Sequence, residues 1–134
     1  MWGRLLLASD AYLLGLTAVV GFVTYPGFAL VGPQQWSSFH AHHTRAIVAA
    51  VGPAWLVQGV ASIRWLVVQP HRSAPWIHGA LVAGAVVATI IGAVPQHDEL
   101  ARTGDRRHLS HLRAWHRVRS LCWLAAVGVS FIAA

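Results

Sequence analysis

Four stretches of this chain are too long and too continuously apolar to be the half-buried helices of a water-soluble domain. They cover about residues 5–31, 46–68, 76–94 and 115–134. A helix of roughly 20 mostly apolar residues crosses the hydrocarbon of a bilayer. Charge is correspondingly scarce: 10% of 134 residues are charged and 56% are hydrophobic, whereas soluble domains carry about 25% charged residues. The expected fold is all-α, an integral membrane up-and-down four-helix bundle forming one domain over residues 1–134, with no repeat or linker to divide it. The small residues of "GALVAGAVVATIIGA" suit close helix contact inside such a bundle. "MWGRLLLASD" starts like a signal peptide, but its apolar run continues past the length of a signal core, so it reads as a retained first helix.

The formal net charge of +6 comes from ten arginines and no lysine. In a soluble protein that balance would suggest nucleic acid. Here the arginines sit beside apolar runs, where they set orientation or meet lipid headgroups. No basic soluble fold is present to read a groove, so nucleic acid is not an expected partner. With short connections, helices alternate in direction. The segment "WSSFHAHHTR" at 36–45 and the polar segment at 95–119 then share one face. That face holds His40, His42, His43, His97, His108, His111 and His116, together with Arg45, Arg102, Arg106, Arg107, Arg113, Arg117 and Arg119. The positive-inside rule makes it cytoplasmic, with both termini outside, in what is expected to be a bacterial plasma membrane. Arg4, Arg64, Arg72, His71 and His78 fall on the opposite side. Asp10 lies within the first span, where an acid is a functional candidate; Arg64 should lie at similar depth, and an Asp10–Arg64 ion pair is expected. Cys122 is the only cysteine, which excludes an internal disulfide.

The histidines carry the chemistry. His40 and His43 share a face if the second helix begins before its apolar stretch. His97 follows Pro95 where the third helix should end, and His116 opens the fourth with Arg119 and Trp123 on its face. Four imidazoles at one depth suit a transition metal, iron or copper before zinc, with an open position for catalysis. Arg45 and Arg119 can hold an anionic oxygen bidentately, or simply snorkel to the interface. Tyr25, before Pro26, can donate a hydrogen bond or a proton. His42, His108 and His111 read as solvated, and Asp98 and Glu99 as surface charges beside Arg102 or as acid–base groups. Trp36, Trp55, Trp65, Trp76, Trp115 and Trp123 fit an interfacial belt, Trp115 and Trp123 alternatively a pocket wall.

Two segments carry a resemblance. "AVPQHDELA" at 93–101 and "WHRVRSLCWLAA" at 115–126 resemble the paired signature of the anthrone-oxygenase-like family of small four-helix membrane proteins, through Pro95, His97 and Leu100 and then His116, Arg119 and Ser120. "YPGF" at 25–28 matches the turn closing that family's first helix, and "FHAHHTRAI" at 39–47 is similar to a bacterial branch, through His40, His43 and Arg45. The resemblance implies oxygenation of polyketide anthrones; His97 and His116 stand where the family usually has Asn. Trp36 with His40 is also similar to the haem-ligand region of styrene oxide isomerases, which implies His40 as an axial ligand of haem b. The expected function is a membrane-embedded, metal-dependent oxidoreductase or oxygenase acting on a lipophilic aromatic or polyketide-like substrate. The alternatives are a haem-dependent isomerase or oxygenase, and a non-catalytic membrane protein binding metal or lipid. Lipid bilayer, a lipophilic small molecule and further copies of the chain are the expected partners.

Overall fold

The computed structural model describes residues 2–133; Met1, and Ala134 at the end of the fourth expected span, lie outside the described residues. The described residues form four helical rods with short connections and no strand. The first rod is α1 (Trp2–Val19), a π-helical turn (Val20–Thr24) and α2 (Tyr25–Phe28). The second is α3 (Pro33–Val68). The third is α4 (Ser73–Val87), a π-helical turn (Ala88–Ala93) and α5 (Val94–Thr103). The fourth is α6 (Arg107–Ala133). By length and composition three rods can cross a membrane: Gly3–Phe28, Pro33–Val68 and Ser73–Thr103. The fourth, which carries Arg117 and Arg119 in its middle, is not among them.

Both polar segments expected as loops are helical instead. Pro33 opens α3, where its missing N–H and fixed φ suit the first helical turn, and the helix runs 36 residues, about 54 Å. Segment 95–119 is helix on both sides of residues 104–106. Gly104, at φ 65°, ends α5 with its N–H bonded to the Leu100 carbonyl at 3.0 Å, a left-handed cap that glycine alone adopts without strain. These stretches are helices because they are amphipathic, with Leu100, Leu109 and Leu112 buried; a reading for apolar spans passes over them. Asp105 then accepts from the Arg107 side chain and backbone N–H at the start of α6, contacts that lower its carboxyl pKa below the usual range.

Nor do the prolines end their rods. A proline inside a helix lacks a donor and crowds the carbonyl four residues back. Here a wider turn precedes each one. The Tyr25 N–H reaches back five residues to the Val20 carbonyl before Pro26, and the Val94 N–H reaches the Thr89 carbonyl before Pro95. Such π-turns recur at functional sites. Each contains a glycine on which α6 rests. A Cβ on Gly21 would stand 2.7 Å from His116 Nε2, and one on Gly92 would stand 2.1 Å from the Trp115 ring.

The fourth rod packs on the first and third rods, and α1 also packs on α3; the seam between α3 and the third rod is the thinnest. Tyr25, Phe28, Trp36, Leu100 and Leu112 form a buried core at one end of the bundle. Arg106 closes that end. Its guanidinium lies 3.8 Å over the Trp36 ring, donates to the Val31 carbonyl at 2.9 Å and also to the Phe28 carbonyl. These carbonyls lie at the end of the first rod, where a cation is favoured; that of Phe28 also accepts from the Val31 N–H.

Candidate functional site

Against that core lies a continuous polar chain drawn from all four rods. His40 and His97 meet through Nε2 and Nδ1 at 3.1 Å. His97 Nε2 lies 3.4 Å from the Tyr25 hydroxyl. Arg119 Nη2 donates to the Tyr25 oxygen at 3.2 Å and to His116 Nδ1 at 3.0 Å. Arginine only donates, so Tyr25 and His116 Nδ1 both accept from Arg119. The Tyr25 contact with His97 Nε2 and the His97 Nδ1–His40 Nε2 contact run in whichever direction the His97 tautomer sets, with Tyr25 donating to Nε2 when Nδ1 carries the proton. His116, with Nδ1 accepting from Arg119, carries its proton on Nε2, which faces the first rod at Gly21. The Tyr25–His97 contact is the long one, and a ligand oxygen can compete for it.

Beside the chain is a cavity of about 380 Å³ with predominantly apolar walls. Tyr25, His43, His97 and Arg119 form its polar end; Leu13, Trp55 and Trp123 line its interior. Val48 of α3 and Ile90 and Val94 of the third rod line it while also being exposed. The cavity therefore opens sideways, through the thin α3 seam.

Among the described residues, three buried side-chain polar atoms lack a hydrogen-bond partner: His43 Nε2, Trp55 Nε1 and Arg119 Nε. All three side chains line this one cavity. An unpartnered buried polar group costs about 1–3 kcal/mol, so three in one wall point to a ligand that satisfies them. Arg119 also has no carboxylate within ion-pair distance among the described residues. It is a half-buried cation in a largely apolar wall, without an acidic counter-ion.

Of the residues singled out in the sequence, His40, His43 and His97 come together, with ring centroids 5.3 Å apart for His40–His97 and 5.8 Å for His43–His97. Tyr25 and Arg119 join them. His116 is drawn instead to Arg119 and to Tyr25, its ring 5.0 Å from the phenol. No group of three or more His, Cys, Asp or Glu among the described residues stands ready to hold a metal ion. Haem on His40 does not fit this arrangement. Its Nε2 is engaged by His97, Trp36 covers its ring at 5.0 Å, and it is absent from the cavity wall. Arg45 is exposed, because two residues of helix turn it about 200° away from His43. Asp98 lines the cavity rim, whereas Glu99 pairs with Arg102 at the surface.

The expected Asp10–Arg64 pair does not form. Arg64 is exposed. Asp10, with no exposed surface, accepts from Gln58 Nε2 at 2.6 Å and meets His78 Nε2 at 2.9 Å. Ser62 Oγ lies 3.3 Å from His78 Nδ1. Gln58, Ala61, Ser62 and Trp65 recur at helical spacing along α3, and three of them are buried; that face, rather than depth alone, selects the partner of Asp10. The site residue missed in the sequence is Trp55, whose position near mid-helix suggested no role beyond the belt. No protein-family model, no curated protein and no solved structure matches the chain, so the geometry alone supports a functional reading.

Proposed function

We propose that this chain is a membrane-embedded enzyme, an up-and-down bundle with its histidine-rich end at the cytoplasmic face. It takes a lipophilic, oxygen-bearing aromatic molecule from the bilayer through the seam beside Val48 and ionises it against Arg119. The observation that carries the reading is the set of three unpartnered polar atoms in the wall of one apolar cavity.

The chemistry follows from where each group stands. His43 lines the cavity, and its Nε2, buried and without a partner, serves as the base. It takes a proton from a carbon conjugated with the substrate carbonyl, in an anthrone the methylene across the central ring; the C–H electron pair enters the conjugated π system and the carbonyl π pair moves to the oxygen, giving an enolate. The free Arg119 Nε–H meets that oxygen, and a fixed cation in a water-poor wall stabilises developing negative charge more strongly than water does. Tyr25 and His116 hold the guanidinium in place, and the His97–His40 pair holds Tyr25. For an anthrone, the enolate is the electron-rich form that dioxygen oxidises: one anthrone and one dioxygen give one anthraquinone and one water.

A second reading has its own observation. His40 Nε2 and His97 Nδ1 are 3.1 Å apart, close to the roughly 3.3 Å that two imidazole nitrogens span on a tetrahedral ion, and His43 Nε2 is unpartnered beside them. His40, His43 and His97 are not a ready-made metal group; to hold iron or copper, His43 would have to turn its Nε2 toward the His40–His97 pair and the ion would replace their hydrogen bond. Such an ion would supply Lewis-acid polarisation of the substrate oxygen.

Proton exchange tests both. Anthrone in deuterated buffer, without oxygen, should exchange its methylene protons faster with purified protein in nanodiscs than with empty nanodiscs, as followed by NMR. His43→Leu and Arg119→Met should each remove most of that acceleration. No acceleration by the wild-type protein overturns the ionisation chemistry. Acceleration that disappears on chelation and returns with added metal moves the assignment to the second reading.

A further inference from the structure

The cavity is longer than its chemistry requires. His43 and Trp55 both line it, and twelve residues of α3 separate them, about 18 Å along a helix axis. The ionising groups gather at the His43 end. At the other end the wall is formed by Leu13, Val51, Trp55 and Trp123, with Thr89 also lining the cavity.

One donor is left unused there. Trp55 Nε1 is buried without a partner. The other tryptophan N–H groups with assigned partners are satisfied: Trp36 by the Leu100 carbonyl, Trp65 by Gln69 and Trp76 by the Pro70 carbonyl. Thr89 does not supply the missing bond, since its hydroxyl donates to the Ala85 carbonyl at 2.9 Å. An indole N–H is a donor only, so what completes it must offer an acceptor. At that depth the walls are apolar, so an ion is a poor occupant and a neutral oxygen a good one.

We infer that Trp55 is a specificity-determining residue: its N–H receives a second, neutral acceptor oxygen of the ligand, about one cavity length from the oxygen held by Arg119. The preferred substrate is therefore an elongated lipophile with an ionisable oxygen group at one end and a carbonyl or ether oxygen near the other. A short ring system alone satisfies Arg119 and leaves Trp55 bare. The inference rests on the proposed cavity reading and narrows its substrate class.

Two probes separate the possibilities. One is a para-alkylphenol whose chain brings its length to roughly 18 Å, the helix span between His43 and Trp55. The other is the same molecule with a ketone beside its terminal methyl. Binding to protein in nanodiscs is measured calorimetrically, each probe corrected for its partition into empty nanodiscs. The wild-type protein should prefer the ketone by about tenfold, one hydrogen bond's worth. In Trp55→Phe, which keeps a ring and removes the N–H, the ratio should fall to near one. Equal affinities in the wild type overturn the inference, as does a preference that survives Trp55→Phe. If neither phenol binds while anthrone exchange persists, the inference fails and the ionising end stands. If anthrone exchange is absent as well, the cavity reading itself is gone.

Discussion

The bundle holds two buried polar clusters at its two ends, and they are built in opposite ways. The Asp10 cluster is closed. Both carboxylate oxygens are engaged, by Gln58 and His78, and every member is buried. The His40–His97–Tyr25–Arg119 cluster is open. It adjoins a cavity, its arginine lacks an acidic counter-ion, and two of the residues around it, His43 and Arg119, keep unpartnered nitrogens. Polar groups inside an apolar bundle either hold helices together or wait for something to bind, and satisfaction of their hydrogen bonds distinguishes the two. A closed set acts as interhelical glue; an open set tolerates its deficit because a ligand removes it.

The largest expected effect belongs to the closed cluster. Asp10→Ala leaves the Gln58 amide and His78 Nε2 facing an apolar void. Breaking a buried, hydrogen-bonded pair from one side costs about 3–5 kcal/mol, nearer the low end in a bilayer, where the unfolded reference also finds partners. Denaturant unfolding in detergent should register that loss, and Asp10→Asn, which keeps one acceptor, should lose less. A loss below about 1 kcal/mol for Asp10→Ala would erase the contrast between the two ends.

How the two ends read in the sequence follows the same division. The convergence of His40, His43 and His97 is legible because helical spacing and alternating helix direction decide it, and Tyr25 and Arg119 follow from the same placement; His116, expected with the other three imidazoles, is drawn to Arg119 and Tyr25 instead. The rotation of α3 about its axis is not set by that spacing, and it is what turns Arg45 outward and selects Gln58 over Arg64 for Asp10. Depth along a helix comes from counting residues; azimuth requires knowing which neighbour packs where. The π-turns were hidden for another reason. Proline normally marks a helix end, and only the close approach of α6 to Gly21 and Gly92 reveals why the rods continue through Pro26 and Pro95.

That close approach gives the next effect in size. Gly92→Ala places a methyl 2.1 Å from the Trp115 ring, and overpacking of this kind costs about 1–3 kcal/mol. Because α6 carries Trp115 and His116 side by side, displacing it should also disturb the Arg119–His116 contact, and so lower anthrone exchange along with stability. Gly92→Ala with Trp115→Ala should recover part of the exchange rate. A Gly92→Ala protein as stable and active as wild type would mean that α6 does not need its seat on the third rod. A loss of about 1–2 kcal/mol is expected for Trp36→Phe by thermal unfolding, since it removes the hydrogen bond to the Leu100 carbonyl and part of a buried ring but keeps an aromatic face beneath Arg106.

The smallest effect on stability is expected where the effect on function is greatest. Arg119→Met gives up two hydrogen bonds, to Tyr25 and His116, each worth about 1 kcal/mol net. It also relieves a half-buried cation of the cost of lacking a counter-ion, and replacing such charges by apolar side chains is often neutral or stabilising. The two contributions oppose each other, so the unfolding free energy should move by less than about 1 kcal/mol in either direction. His43→Leu should behave alike, because the Nε2 it removes has no partner. Both proteins should nonetheless lose anthrone exchange. If instead either substitution unfolds the bundle as severely as Asp10→Ala, the open end is structural glue like the closed one, and the cavity beside it is a packing defect.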